Sequence, residues 1–405
     1  MSPDRTDQAA ARSAAKAAVR SEVDARMPGL VELSHTIHAH PETCFEEVRS
    51  AHWTAGALAD GGFAVTEGIC DLPTAFEATA GHGPLTVALC AEYDALPGVG
   101  HACGHNIIAA STVGAALALA AVADDLGLTV KVVGTPAEEG GGGKVLLLER
   151  GAFEGVHAAM MVHPWPAEWL AATCLAVSHF DVHFSGKEAH ASAAPWEGVN
   201  AADAMTVGQV AVGLLRQQLH PGDQVHGIVT HGGSAANIVP ASVSGRFMCR
   251  SRTLDGLAHL QPRVHRCFEA GAVATGATVS FEELSPLYSH MESDADLLAA
   301  YRHNAESVGR HFDHDDAGDP PPTLSTDMAN VSLALPSIHP LVAIESHGAV
   351  NHQPEFAAAC ITESADAALR DGALALAMTA VDAAGIPALR ERLLARGGPD
   401  PGGAR

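Results

Sequence analysis

Apolar positions change their period along the chain. Up to about residue 60 they recur at helical spacing, with Val31, Leu33 and Ile37 leading into the His-rich stretch HTIHAHPETCFEE and a second helix around Ala51–Asp60. From Phe63 onward short apolar runs bounded by Gly and Pro take over. Leu85–Cys90 reads as a buried strand ending in AEYDALPGVGHACGH. The long Ala/Leu helix after it is expected to close on Gly127. Thr129–Gly134 is the next strand and ends in TPAEEGGGG; a helix over Lys144–Arg150 leads to a strand over Ala158–Val162 that ends at His163. Strands alternating with helices predict an α/β domain with a mostly parallel central sheet.

The middle of the chain has another rhythm. Leu175–Ser185 alternates as a half-exposed strand, followed by a helix (Asn200–Gln218) and two strands (Gln224–His231, Ser242–Cys249). A helix (Leu257–Thr275) and a strand (Thr278–Glu283) complete the series. A β-α-β-β-α-β order of this length suggests a ferredoxin-like α+β module inserted into the first domain. The expected division is 1–172 and 289–395 for the α/β domain, 173–288 for the insert, and 396–405 for a disordered tail. Between them HFDHDDAGDPPP reads as a polar loop, after which the runs Val331–Leu335 and Leu341–Ile344 resume the α/β pattern.

Composition narrows the classes. The formal charge of −24 argues against nucleic acid or an anionic membrane as partner, since phosphates attract basic surfaces. The N-terminal stretch is Ala-rich and charged, with no apolar core of a signal peptide. Ile107–Ala123, the longest apolar stretch, is short for a membrane span and reads as a buried helix. The eight cysteines form no CxxC pair, so reduced thiols and a cytoplasmic location are expected.

Candidate ligands fall at strand ends. Cys103 and His105 follow one predicted strand, Glu138 and Glu139 the next, and His163 a third; His352, in GAVNHQPEF, comes from beyond the insert. Open α/β sheets build their sites at the carboxyl ends of strands, so these residues can converge. Thiolate, imidazole and carboxylate suit Zn²⁺ or a similar divalent ion, and six candidates suit two ions with a shared ligand. One of the adjacent glutamates can hold metal while the other serves as general base. Spacing alone leaves other readings open: a structural Cys, solvated loop acids, or a Cys103–His nucleophilic pair. No HExxH or GxSxG is present. GTPAEEGGGGK fails as a phosphate loop, because Glu138 replaces its first glycine and Val145 its Ser/Thr.

AEYDALPGVGHACGHN, TPAEEGGGG, VHP, GKEAHASAAPWEGVNAADA, ANIVPASVSGRFMCR, STDMANVS and GAVNHQPEF occur in this order. Together they resemble the aminoacylase/carboxypeptidase-type metallopeptidase family, in the branch of auxin-conjugate and hippurate amidohydrolases. Within it the chain is most similar to the group of β-alanyl-lysine dipeptidase and p-aminobenzoyl-glutamate hydrolase. The resemblance, spanning roughly Leu30 to Cys360, implies a metal-dependent hydrolase of a small-molecule amide, with two divalent ions per subunit, Zn or Mn. It implies a lid domain at 173–288 through which such proteins dimerise. Cys103, His105, Glu139, His163 and His352 match the metal ligands, and Glu138 the catalytic base. His190 matches a histidine that stabilises the transition state, commonly from the partner subunit. Asn237 and Arg250 match substrate-binding residues. The wider family's metal-binding His-x-Asp is here Glu92-Tyr93-Asp94, its bridging Asp is Cys103, and Asn106 stands where many branch members have Asp. A catalytically silent binding protein of the same fold is the rival outside enzymology. The intact Glu138 and full ligand set weigh against it.

Overall fold

The computed structural model describes residues 3–396, so of the expected tail 396–405 all but Arg396 lies outside the described residues. Contacts divide the chain into two compact units, one of Met1–Thr173 with Met291–Arg405 and one of Cys174–His290.

The first unit opens with α1 (Pro3–Ala39) and α2 (Val48–Asp60), which flank the polar segment HPETCFEE. Val19, Val23, Leu30 and Ile37 recur on one stripe of α1 and are buried. At ~1.5–3 kcal/mol for each such side chain removed from water, that stripe rather than propensity holds the helix down. The strands β1 (Ala64–Glu67), β2 (Phe76–Ala80) and β3 (Leu85–Ala91) follow. Then come α3 (His105–Ala120), β4 (Leu128–Gly134), α4 (Gly143–Glu149), β5 (Ala158–Met160) and β6 (His163–Trp165).

The second unit contributes β7 (Ala176–Ser185), α5 (Ala201–Leu215), β8 (Gln224–His231), β9 (Ser242–Ser251), α6 (Leu254–Thr275) and β10 (Thr278–Glu283). The first unit resumes with α7 (Ala295–Glu306), α8 (Met328–Ala334), β11 (Ser337–Ile338), β12 (Leu341–Ala343), α9 (Glu363–Gly385) and α10 (Pro387–Arg396).

The main sheet has the order β1-β2-β4-β3-β5-β11. Its β4, β3, β5 and β11 run parallel, while β1 and β2 form an antiparallel edge. β6 and β12 pair in parallel as a separate ribbon, with Leu341 opposite His163. β3 and β4 are nearly continuous apolar runs because both faces of a parallel sheet are covered. Residues 105–119 of α3 are all buried, as its apolar run predicts. It ends sooner than its sequence suggests. Val122 leaves the helical conformation, and Gly127 caps only the separate turn Ala123–Leu126. The polar loop 311–322 likewise contains a short helix, Asp313–Ala317. Among the described residues, no single helix is long and apolar enough to cross a membrane.

The second unit is a four-stranded antiparallel sheet of order β10-β7-β9-β8, with α5 and α6 completing the β-α-β-β-α-β series. Phe180, Val182 and Phe184 of β7 alternate inward with Phe247 of β9 and pack with Met205, Val264 and Phe268 of the two helices. Outward positions on β7 are half-exposed, giving the period of two read from the sequence.

Candidate metal centre

The parallel strands of the first unit deliver most of the candidate side chains to one place, where Cys103, His105, Glu138 and His163 are buried, Glu139 is half-buried and His352 is exposed. β3 ends at Ala91 and is followed by Glu92, Tyr93 and Asp94, while β4 ends at Gly134 ahead of Glu138 and Glu139. His105 is the first residue of α3, preceded by Gly104 in the left-handed conformation at φ 77°. A Cβ on Gly104 would overlap Pro164 Cγ, so close approach as well as backbone conformation requires glycine between Cys103 and His105.

Two groups of ligand-type atoms share Cys103. Cys103, His105 and His163 form one, and Cys103, Glu139 and His352 the other; in each, the atoms lie within 4.8 Å of one another. Cys103 Sγ is 3.4 Å from His163 Nε2 and 3.6 Å from His352 Nε2. His352 Nε2 is 3.4 Å from Glu139 Oε2. Ligands about 2.1 Å from a tetrahedral ion are spaced by about 3.4 Å, so these separations suit atoms around a common cation.

The hydrogen bonds leave the inward-facing atoms available. His105 Nδ1 donates to Asp94 Oδ1 at 2.9 Å, and its buried Nε2 has no hydrogen-bond partner. His163 Nδ1 donates to the carbonyl of Pro164 at 2.8 Å, which puts the Nε2 lone pair toward Cys103. Glu139 Oε1 and Glu92 Oε2 are also buried without a hydrogen-bond partner. His105 Nε2 lies 3.4 Å from that Glu92 oxygen without a well-aligned hydrogen bond, and buried polar atoms gathered in this way are costly without a cation.

The electrostatics agree. Burial, with the neighbouring Glu139, pushes the Cys103 thiol well up, so a thiolate there requires a cation beside it. Burial likewise raises Glu138, reinforced by Glu92, Glu139 and Asp327. Burial holds His163 well below its ordinary value, with His339 and His105 adding to the effect, so its imidazole is neutral and able to ligate. His105 alone runs the other way: burial opposes its charged form, but Asp94 overcomes it and raises the group, so a cation would have to displace the Nε2 proton that faces Glu92 Oε2 at 3.4 Å.

Behind the ligand groups sits a buried ion triad. Lys144 Nζ donates to Glu92 Oε1 at 2.5 Å and to Asp327 Oδ1 at 2.7 Å, and the Lys144 backbone N–H donates to Asp327 Oδ2 at 2.8 Å. Burial works against the ammonium, but Asp327 and Glu92 raise its affinity for the proton. Glu138 reaches both sets, grouping with His105 and Glu139 on one side and with Glu92 and Asp327 on the other.

All of Cys103, His105, Glu138, Glu139, His163 and His352 are therefore brought together. His190, Asn237 and Arg250 belong to the second unit. His190 is exposed, and its Nδ1 accepts from the amides of Ser192 and Ala193 at 3.3 and 3.2 Å. Asn237 is exposed, with its backbone carbonyl accepting from Ala191 N–H at 3.0 Å, so its segment pairs with that of His190. Arg250 sits half-buried on β9, and burial lowers its guanidinium. Sequence reasoning had no role for Asp94, Lys144 or Asp327. Asp94 at least carried a signal, as the last residue of the Glu-Tyr-Asp run.

Residues 88–371 match peptidase family M20/M25/M40. The Xaa-Arg dipeptidase of Mus musculus is 38% identical, with 95% of this chain and 93% of that protein covered. A p-aminobenzoyl-glutamate hydrolase polypeptide of Escherichia coli (strain K12) is 33% identical, over 64% of this chain and 58% of that protein. Among solved structures, a Bacillus subtilis protein described as a dinuclear metal binding peptidase from the M20 family aligns with a TM-score of 0.67. It is 22% identical and covers 88% of this chain and 98% of that one, which shows a shared fold.

Proposed function

The chain belongs to peptidase family M20/M25/M40, and on that premise we propose that it is a metal-dependent dipeptidase or amidohydrolase acting on a small linear amide. The observation that carries this reading is the pair of ligand groups sharing Cys103, with Glu138 beside them. Cys103, His105 and His163 would hold one divalent ion, and Cys103, Glu139 and His352 a second, with Zn²⁺ or Mn²⁺ suiting this mixed sulfur, nitrogen and oxygen set. When bound, such ions make a water acidic enough to attack near neutral pH and polarise the scissile carbonyl.

The chain's own residues do the rest. Glu138 takes a proton from the attacking water and passes it to the amine nitrogen as the C–N bond breaks. Asp94 keeps the proton of His105 on Nδ1, and the Pro164 carbonyl does the same for His163, so both Nε2 atoms stay free to ligate. The second unit is assigned as the lid. His190 donates a hydrogen bond to the developing oxyanion, and Asn237 and Arg250 bind the substrate, the guanidinium suiting a carboxylate.

The similarity to an Xaa-Arg dipeptidase over nearly the whole chain supports dipeptides with a basic C-terminal residue as the first substrates to try. An aminobenzoyl-glutamate-like conjugate and N-acyl-amino acids follow. The free thiols of all eight cysteines support a reducing, cytoplasmic setting.

A panel of these substrates, assayed after chelation and after return of Zn²⁺ or Mn²⁺, tests the reading. Hydrolysis is expected to vanish with the chelator and return with metal. Activity that survives chelation but is blocked by iodoacetamide would instead make Cys103 the nucleophile, as its 3.4 Å contact with His163 allows.

A further inference from the structure

The His-rich motif runs from the end of α1 into the segment 40–47 that joins α1 to α2, and no catalytic role has absorbed that segment. It lies against two of the loops that supply the metal centre. The Ala95 N–H donates to the Glu42 carbonyl at 2.8 Å, one residue beyond Asp94. A Cβ on Gly141 would lie 2.5 Å from Phe45 Cε2 and 2.6 Å from Cys44 Sγ, so the segment and the GGGG loop are in direct contact.

Between these contacts sits Glu47, which is fully buried. Its Oε1 accepts from the Ala137 N–H at 2.9 Å and from the Phe45 N–H at 2.9 Å. Both donors are non-glycine residues in the left-handed region, Ala137 at φ 60° and Phe45 at φ 61°. Such backbone persists only where surrounding contacts hold it. Ala137 immediately precedes Glu138 and Glu139. On the other side of Glu138, the Glu139 N–H donates to Asp94 Oδ2 at 3.0 Å. Two buried carboxylates thus grip the amides on either side of Glu138. Across this turn Glu138 is directed to Glu92 and Asp327, and Glu139 to Cys103 and His352.

We infer that Glu47 is a positioning residue: by holding the left-handed Ala137 it sets the directions of the Glu138 and Glu139 side chains. This rests on the roles proposed above for those two glutamates. The hydrogen bond itself is tested without them.

The experiment compares wild type with Glu47→Gln, whose carbonyl oxygen still accepts both amides, and Glu47→Met, which keeps the length and loses the acceptor. Three readouts are taken on Mn²⁺-loaded protein: hydrogen exchange over residues 135–142, metal content per chain, and kcat and KM on a cleaved dipeptide. Glu47→Met should exchange faster over 135–142 and lose about 100-fold in kcat with KM nearly unchanged, the cost expected for a misplaced catalytic group. Glu47→Gln should stay within about fivefold of wild type, because the hydrogen bonds survive. Wild-type exchange over 135–142 in the Met variant would overturn the inference, as would a Gln variant that falls as far as Met. Should Met fail to fold, a Gln variant with faster 135–142 exchange and lowered kcat overturns it, and one that keeps both supports it. Exchange is read without substrate, so a wild type that cleaves no amide would refute the proposed activity and leave the Glu47 result standing.

Discussion

Glu138 and Glu139 are neighbours of the same residue type in one turn, and their surroundings differ in the way the roles proposed for them require. Glu139 stands 3.4 Å from His352 among the ligand atoms, whereas Glu138 also reaches the acids gripped by Lys144. Replacing Glu138 by Gln should therefore leave metal content at the wild-type level while kcat falls by about 10³-fold or more, as for loss of a general base that acts alone. Elemental analysis with steady-state kinetics reads both, and near-normal turnover would remove Glu138 from that role. Glu47 offers a stability test. Burial, then Asp94, pushes its carboxyl up to about 7 from an ordinary 4.5. Between those values the folded protein holds more protons than the unfolded chain, so this group's contribution to stability declines as pH rises through the window. Glu47→Gln does not titrate. Its Tm relative to wild type should rise between pH 5 and pH 8, and a constant difference would count against a raised carboxyl. The ligand-type residues were legible because each lies in a recognisable local motif, most of them in the loops beyond strand ends. Glu47 and Lys144 were not, because their partners Ala137 and Asp327 lie 90 and 183 residues away.

At the scale of elements, the start of α3 does the most for the site. Gly104 places Cys103 in the turn and His105 on the first turn of a helix whose positions to 119 are all buried. Its left-handed φ alone costs a side-chain-bearing residue ~1–2 kcal/mol, and the overlap with Pro164 adds to that. Gly104→Ala should lower Tm by several degrees and weaken metal binding at least tenfold, read by calorimetry and competition with a chromophoric chelator. Unchanged metal affinity would show that the turn does not set ligand geometry. The apolar period placed most elements correctly. It overran the end of α3, because Ala121 and Val122 remain apolar while Val122 turns out of the helix. The short helix Asp313–Ala317 was hidden in a polar run with no apolar face to announce it.

For the whole molecule, the two units raise the question of assembly. The resemblance implied dimerisation through the insert, and the second unit carries features that support it as a proposal. β8 is the edge strand of its sheet, with Ile228 64% exposed, and α5 exposes Val210 at 59% and Leu214 at 61%. An edge strand and exposed apolar side chains in the same unit suit contact with a second copy of the chain. Wild type should sediment as a dimer, and Ile228→Lys with Leu214→Glu should shift it toward monomer; a monomeric wild type would refute the proposal. Because His190 sits in the same unit, the monomeric variant also reports whether activity depends on the partner.

The sequence by itself determined the fold class, the β-α-β-β-α-β insert and the identities of the ligand-type residues. Period, turn residues and short motifs are local, and each survives without knowledge of what packs against it. Tertiary structure decided how those residues are used. Only convergence of strand ends could show that Cys103 stands between two ligand groups. Only the hydrogen bonds of Asp94 and Pro164 could show which ring nitrogens face inward. Distance along the chain carries no information about Glu47 gripping Ala137 or Lys144 bridging Glu92 and Asp327. Those contacts exist because the packed core leaves each buried charge a single place to find its partner.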